Sequence, residues 1–308
     1  MSPKTQLYDV LIIGAGPAGL AAAIYASRDR LKTLLIERGL VGGMINETEK
    51  LDNYPGFPDG VGGMELTALM HKQAQKYGAG DINAVVEALE PAKGKSFTVK
   101  TTEGDFKARA VIVAGGSDKQ KLGITGEKEL TGRGVAYCAT CDAPFYTNKR
   151  VAVVGGGDTA LFEALHLAKF ASKVTVIHRR AELRATPIVQ EQAKNEARIE
   201  FLLDSQVSAV QGKDSVEGLL IKNSLSGKES TLALDGVFIA VGLIPNTGYL
   251  KGLVELDEQG MVVVNDLMHT SLPGVFAAGD IRHNSIRQVV SAVSDGAVAA
   301  ISAKHWIG

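Results

Sequence analysis

The chain has 308 residues, 45% of them hydrophobic and 22% charged, with a formal net charge of −1. That length suits two domains, each with a core of its own, and the composition excludes disordered and fibrous classes. A near-neutral balance leaves no excess of Lys and Arg for nucleic acid or an anionic membrane surface, so any recognition by charge is local. The first predicted element is a buried strand from Tyr8 to Ile13. It runs into Gly14-Ala15-Gly16-Pro17-Ala18-Gly19 and an Ala-rich helix to about Ser27. The stretch from Val10 to Ala26 could be mistaken for an export signal, but a phosphate-binding turn explains its glycines better. The chain is therefore expected to be cytoplasmic, and its two cysteines do not make a structural disulfide framework.

A lone glycine fingerprint is weak evidence, because a tight strand-to-helix turn can use the same residues for packing alone. Here a second strand, Lys32 to Ile36, follows and ends at Glu37, whose carboxylate can accept hydrogen bonds from ribose hydroxyls. That favours FAD or NAD(H). Further on, Tyr137-Cys138-Ala139-Thr140-Cys141-Asp142 places two sulfurs close enough for a small reversible disulfide. Zinc would need more ligands, and the histidines at 71, 166, 178, 269, 283 and 305 are dispersed, so no metal site is expected. An inert pair of buried thiols is the competing reading. Asp142 stands where a carboxyl could deliver a proton to a departing thiolate, or simply cap a helix.

The strand from Arg150 opens a second fingerprint, Gly155-Gly156-Gly157-Asp158-Thr159-Ala160, followed by a helix from Leu161 to Phe170. The next strand, Lys173 to Ile177, ends in His178-Arg179-Arg180 with Arg184 beyond and no acid at the ribose position. Arginines there suit a 2′-phosphate, which they grip through charge-assisted hydrogen bonds, and so point to NADPH. The plain alternative is a solvated basic surface. In the last third, Leu272 to Ala278 reads as a strand ending in Gly279-Asp280, and Ile286-Arg287-Gln288 opens a final helix. Asp280 could hold a ribitol hydroxyl near a flavin or serve as a turn residue.

In this order, the first fingerprint, Cys138 to Asp142, Gly155 to Ala160, His178-Arg179-Arg180 with Arg184, and Gly279-Asp280 with Arg287-Gln288 resemble the low-molecular-weight thioredoxin reductases. The resemblance runs over nearly the whole chain. It implies an α/β fold of two Rossmann-like dinucleotide-binding domains. The FAD domain is expected from residues 1–118 and 246–308, with an inserted NADPH domain, 119–245, that carries the Cys-x-x-Cys and swings about hinges near Asp118 and Pro245. FAD contacts would come from Gly14, Gly16, Gly19 and Glu37, from Gly43, Met44 and Asn53, and from Gly279, Asp280, Arg287 and Gln288. NADPH contacts would come from Gly155, Gly157, Thr159, His178, Arg179, Arg180 and Arg184.

The same resemblance implies that electrons from NADPH reach the Cys138–Cys141 disulfide through FAD, with Cys141 beside the flavin. Cys138 then attacks the disulfide of thioredoxin or a thioredoxin-like protein, Cys141 resolves the mixed disulfide and Asp142 is the acid. Arg133 and Phe145-Tyr146 would meet the partner, with core packing an equal account of the two aromatics, and a homodimer is expected. Three positions depart from the pattern: Gly115 where Thr is usual, Met44 where Gln is common, and Phe162 where Glu is usual. Rival readings are a dithiol oxidase using O₂, a reductase of another thiol carrier, a redox sensor without turnover, and a ferredoxin–NADP reductase. The arginines count against the oxidase and the cysteine pair against the ferredoxin enzyme.

Overall fold

The computed structural model describes residues 6–48, 51 and 53–308; the side chains of Glu47, Thr140 and Cys141 lie outside the description. The chain forms two compact units, 1–118 with 244–308, and 119–243.

In the first unit, β1 (Leu7–Ile13) pairs in parallel with β2 (Thr33–Glu37), which pairs in turn with β3 (Gly80–Asn83). Val10 to Ile13 form an unbroken apolar run buried on both faces, the pattern of a central parallel strand. Next come β4 (Val86–Ala92), β5 (Ser96–Thr101) and β6 (Gly104–Val113), an antiparallel meander whose last strand returns beside β1. In β5, Phe97, Val99 and Thr101 alternate inward, as a strand with one covered face requires. The helix α1 (Pro17–Arg28) begins with proline at its first turn and buries Ala18, Ala21, Ala22 and Ala26. Small side chains let it touch the last helix, Val289–Ile307, backbone to backbone: a Cβ on Gly296 would stand 2.0 Å from the Ala18 carbonyl.

The second unit is built on a five-stranded parallel sheet in the order Ile199–Leu202, Lys173–Ile177, Arg150–Val154, Gly236–Ile239, Val135–Ala136. Alternation along Arg150–Val154 divides two cores. Val151 and Val153 face the helix Asp158–Leu167, while Ala152 and Val154 face an antiparallel meander of Ser205–Gln211, Gly218–Asn223 and Glu229–Ala233. Among the described residues no helix is long and apolar enough to cross a membrane.

Three boundaries differ from the sequence reading. The strand expected from Leu272 to Asp280 is only Val275–Ala277, because Gly279 turns into a 3₁₀ turn at φ +79°. The last helix starts at Val289, not Ile286. Arg287 lies at φ +59°, outside helical space, and Gln288 is the N-cap in a reciprocal capping pair with Ser291. The helix after the second glycine turn stops at Leu167, short of Phe170, whose ring packs on His166.

Candidate active site

The first glycine turn shows a division of labour. Gly14 holds φ +101°, and a Cβ there would stand 2.4 Å from the Ala114 carbonyl; one on Gly19 would stand 1.8 Å from the Gly14 carbonyl. Both close the turn against β6 and α1. Gly16 instead faces open space, its nearest neighbour being the Gly42 carbonyl at 4.0 Å. Gly16 is the N-cap of α1 and no side chain caps that helix, so backbone amides and the positive end of the dipole face the open side of the turn, where an anion is favoured. Glu37 ties β2 to the turn, since its carboxylate accepts the Ala15 amide at 2.7 Å and the Gly39 amide at 2.9 Å.

Two adjoining cavities of about 290 and 300 Å³ share Gly14, Glu37, Arg38, Gly115 and Asn246. They form one trough across the carboxyl ends of the parallel strands, where open α/β sheets bind dinucleotides. One end is lined by Val85 and Tyr249, whose enclosed hydroxyl has no hydrogen-bond partner among the described residues. The other end is lined by Gly43, Met44, Gly279, Asp280, Arg287 and Gln288. Asn53 does not line it but donates to the Gln288 side chain at 2.9 Å. At Gly115 a Cβ would make ordinary contacts, 3.5 Å to Ile281 and 3.7 Å to Asn246, so space alone does not demand glycine there. The two joined cavities, the open face at Gly16 and the acid at Glu37 fit a flavin dinucleotide.

Burial raises Asp280 above the usual carboxylate range, against the hydrogen bond from Ser285 at 2.8 Å and the Arg287 charge. The corner that carries it is held by a pair that sequence reasoning missed. Buried Asp295 accepts Arg282 Nε at 2.6 Å, Arg282 Nη2 at 3.0 Å and the Gly279 amide at 3.1 Å. The available signal was a single charge in the small-residue stretch Val289 to Ile301.

The second unit repeats the arrangement. A Cβ on Gly155 would stand 2.3 Å from the Ala240 carbonyl and one on Gly156 2.4 Å from the His178 ring, whereas Gly157, the N-cap, has nothing within 4 Å. The arginine loop is stitched to this turn: the Arg184 and Ala185 amides donate to the Gly156 carbonyl at 2.6 and 3.0 Å. Asp158 accepts both the amide and the hydroxyl of Thr186 at 2.8 Å. A cavity of about 510 Å³ is lined by Gly155, Gly156, His178, Arg179 and Arg184, together with Gln120 and Lys121, which sequence reasoning did not single out. Arg180 and Thr159 are exposed and do not line it. Burial lowers the His178 pKa against the pull of a backbone hydrogen bond at Glu182, and the charges of Arg184, Arg180 and Arg179 act in the same direction as burial. The enclosed Nε2 of His178 has no partner among the described residues. Two arginines and an unsatisfied ring nitrogen around an open glycine turn fit NADPH.

Cys138 is disulfide-bonded, and among the described residues no cysteine is free. The short helix Ala139–Asp142 follows, and the Asp142 amide donates to the Cys138 carbonyl at 3.2 Å. Cys141 belongs to that helix; its side chain is outside the described atoms. The approach to Cys138 is anchored by Tyr137, whose hydroxyl donates to Glu127 at 2.7 Å, while Glu127 also accepts amides of Leu122, Gly123 and Ile124. Burial, reinforced by the negative Glu127, pushes Tyr137 up to about 12. The two aromatics after the disulfide have opposite fates. Tyr146 is buried edge-on against Phe238, with ring centroids 5.2 Å apart, while Phe145 is 73% exposed. Arg133 is exposed as well, its guanidinium bonded to the Glu129 carbonyl at 2.5 Å.

Two Rossmann-type turns, one backed by an acid and the other by arginines, with a disulfide on the second unit, define an oxidoreductase that handles two dinucleotides and a dithiol. The model of the pyridine nucleotide-disulphide oxidoreductase family matches residues 8–296, and the chain belongs to that family. It is 45% identical over 310 residues to a thioredoxin reductase of Bacillus subtilis, covering 99% of this chain and 96% of the relative. A Listeria monocytogenes thioredoxin reductase is 44% identical, with 100% and 96% covered. Among solved structures, the thioredoxin reductase of Lactococcus lactis superposes with a TM-score of 0.87 at 40% identity, over 97% of this chain and 99% of that one. That of T. acidophilum gives 0.84 at 35% identity, over 97% and 98%.

Proposed function

We propose that this chain is an NADPH-dependent thioredoxin-disulfide reductase, passing electrons from NADPH through FAD to the Cys138–Cys141 pair and on to thioredoxin or a similar protein. The observation that carries the reading is the disulfide at Cys138 in the same unit as a glycine turn stitched to Arg184. The thioredoxin reductases above, matched over nearly their full length, support it.

FAD, when bound, supplies the two-electron relay between nicotinamide and disulfide. The Gly16 amide region would hold its pyrophosphate, Glu37 its ribose, and Asp280, Arg287 and Gln288 the flavin end of the trough, with Met44 and Gly43 lining the wall. Arg179 and Arg184 bind the 2′-phosphate of NADPH through charge-assisted hydrogen bonds, with Arg180 adding to the local potential from outside the cavity. Cys138 attacks the partner's disulfide, Cys141 resolves the mixed disulfide, and Asp142 holds the proton for the leaving sulfur. Exposed Phe145 and Arg133 offer an apolar and a cationic contact to the partner. The domain roles follow: the first unit holds FAD and the second holds NADPH and the disulfide. A homodimer, which rests on the resemblance alone, and a cytoplasmic location, which rests on reading Val10 to Ala26 as a phosphate-binding turn, complete the reading.

The test is reduction of thioredoxin by the purified protein with NADPH, with NADH as comparison donor and Cys138→Ser alongside. Turnover with NADPH that is absent in Cys138→Ser supports the reading. A flavin that NADPH reduces without turnover points to another thiol carrier, and one that NADPH cannot reduce overturns the NADPH assignment.

A further inference from the structure

A second acid, unused in the mechanism above, lies against the disulfide turn. Glu163 stands on the helix Asp158–Leu167, which packs on Ala139–Asp142 through Ala139, Ala143, Ala160 and Ala164. Its carboxylate accepts the amide of Ala139, the residue directly after Cys138. Its other oxygen, Oε2, is sealed from solvent and has no hydrogen-bond partner among the described residues. A carboxylate with one oxygen bonded and one enclosed and bare is a poor home for a full negative charge. Burial accordingly pushes its pKa up to about 7, against the pull of Lys119 and the Ala139 amide. Other ionisable groups on the neighbouring elements are Asp142 on the disulfide turn, Tyr146 just after it, and His166 one turn along the same helix. Glu191 and Lys194 lie on the helix Pro187–Asn195, and Arg150 and Lys173 on the strands below; Lys119 is the one whose charge acts on Glu163.

We propose that Glu163 is a positioning residue that couples the redox state of the Cys138 disulfide to a proton, holding the backbone at Ala139 and changing its protonation when the sulfurs are reduced. The proposal rests on the reductase reading, which supplies the electrons. Reduction breaks one sulfur–sulfur bond, takes two electrons that originate in NADPH, and leaves up to two negative charges on sulfur. Protons from solvent neutralise part of that charge on sulfur itself, and the remaining thiolate charge raises the proton affinity of Glu163, which then takes up a further fraction of a proton. Reoxidation by the partner's disulfide returns the electrons to the partner and releases the proton.

The experiment equilibrates the full-length FAD-loaded protein with glutathione buffers of fixed ratio from pH 5.5 to 8.5. Cys138 thiol is counted by acid-quenched alkylation, for wild type and Glu163→Gln. Glutamine keeps the acceptor for Ala139 and removes the charge. At pH 8.5 the dithiol-to-disulfide ratio is expected to rise about tenfold in Glu163→Gln, the equivalent of one pK unit of coupling, while at pH 5.5 the two proteins coincide. A ratio unchanged at every pH, or shifted equally at every pH, overturns the proposal and leaves Glu163 a packing residue. Should Glu163→Gln fail to fold, infrared difference spectra between oxidised and reduced protein in the Asp142→Asn background decide. A protonated-carboxyl band that grows on reduction at pH 7 supports the coupling, and an unchanged band refutes it. Because glutathione replaces NADPH and thioredoxin, failure of the reductase reading shows only in the turnover assay and is distinct from failure here.

Discussion

Replacing Asp295 by Ala leaves Arg282 facing a space with no carboxylate and strips the Gly279 amide of its acceptor. The pair is bidentate and largely enclosed, with side-chain exposures of 15% for Arg282 and 8% for Asp295. Breaking a buried pair by removing one partner costs about 3–5 kcal/mol, because the surviving charge is left uncompensated. The orphaned amide adds a further desolvation cost of about 1–3 kcal/mol if no water reaches it. Arg282 retains some exposure and can turn partly to solvent, and water that reaches the Gly279 amide removes its cost, so the loss falls near the lower end of the ion-pair figure, about 3 kcal/mol. At roughly 2–4 °C per kcal/mol for domains of this size, the first unit should melt about 6–12 °C lower. The damage centres on Gly279-Asp280, so loss of yellow flavin on gel filtration should precede loss of helix in circular dichroism. Asp295→Asn keeps an acceptor for Gly279 and should lose about half as much. A melting point within 2 °C of wild type for Asp295→Ala, with flavin retained, would refute the assignment of this pair as the support of the flavin corner.

Further outcomes are expected. Gly14→Ala forces a Cβ to 2.4 Å from the Ala114 carbonyl at φ +101°, so the protein should purify without flavin or fail to fold; a normal flavin-to-protein absorbance ratio would contradict it. Arg184→Ala should raise the KM for NADPH about tenfold or more, one charge-assisted hydrogen bond contributing about 1.5–3 kcal/mol, and leave the KM for NADH nearly unchanged. Glu163 predicts a pH-dependent stability. Its pKa is raised to about 7 from an ordinary 4.5, so its contribution is fully present below 4.5 and is lost as pH rises through 7. Glu163→Gln should therefore gain about 2–3 kcal/mol relative to wild type between pH 5 and pH 8 in urea melts, and parallel pH profiles would sink that account.

Much of the site could be read along the chain because it is local. Gly14, Gly16 and Gly19 follow an apolar strand within six residues, and the turn they make is dictated by steric exclusion at Gly14 and Gly19 and by openness at Gly16. The acid at Glu37 and the arginines at 179 and 184 were legible for the same reason: each leaves the strand after its turn, where a ribose must lie. The boundaries near Gly279 and Gln288 were misjudged because the helical spacing of Ile286, Val289, Val290 and Val293 continues across Arg287, while the backbone at Gly279 and Arg287 is held at a positive φ that composition does not reveal.

What the sequence by itself determined is the class of fold, the two glycine turns and the close spacing of the cysteine pair, all set by residues within one or two turns of each other. Only tertiary structure decided which residues act on those groups from a distance. Asp295 reaches Gly279 and Arg282 across the flavin corner, Glu127 reaches Tyr137 ahead of the disulfide, and Glu163 reaches Ala139 across a helix contact. It also decided that Tyr146 is buried while its neighbour Phe145 points outward. Hydrophobic periodicity records which face of an element is covered; which polar group meets which inside that cover depends on how separate elements pack, and sequence spacing does not encode it.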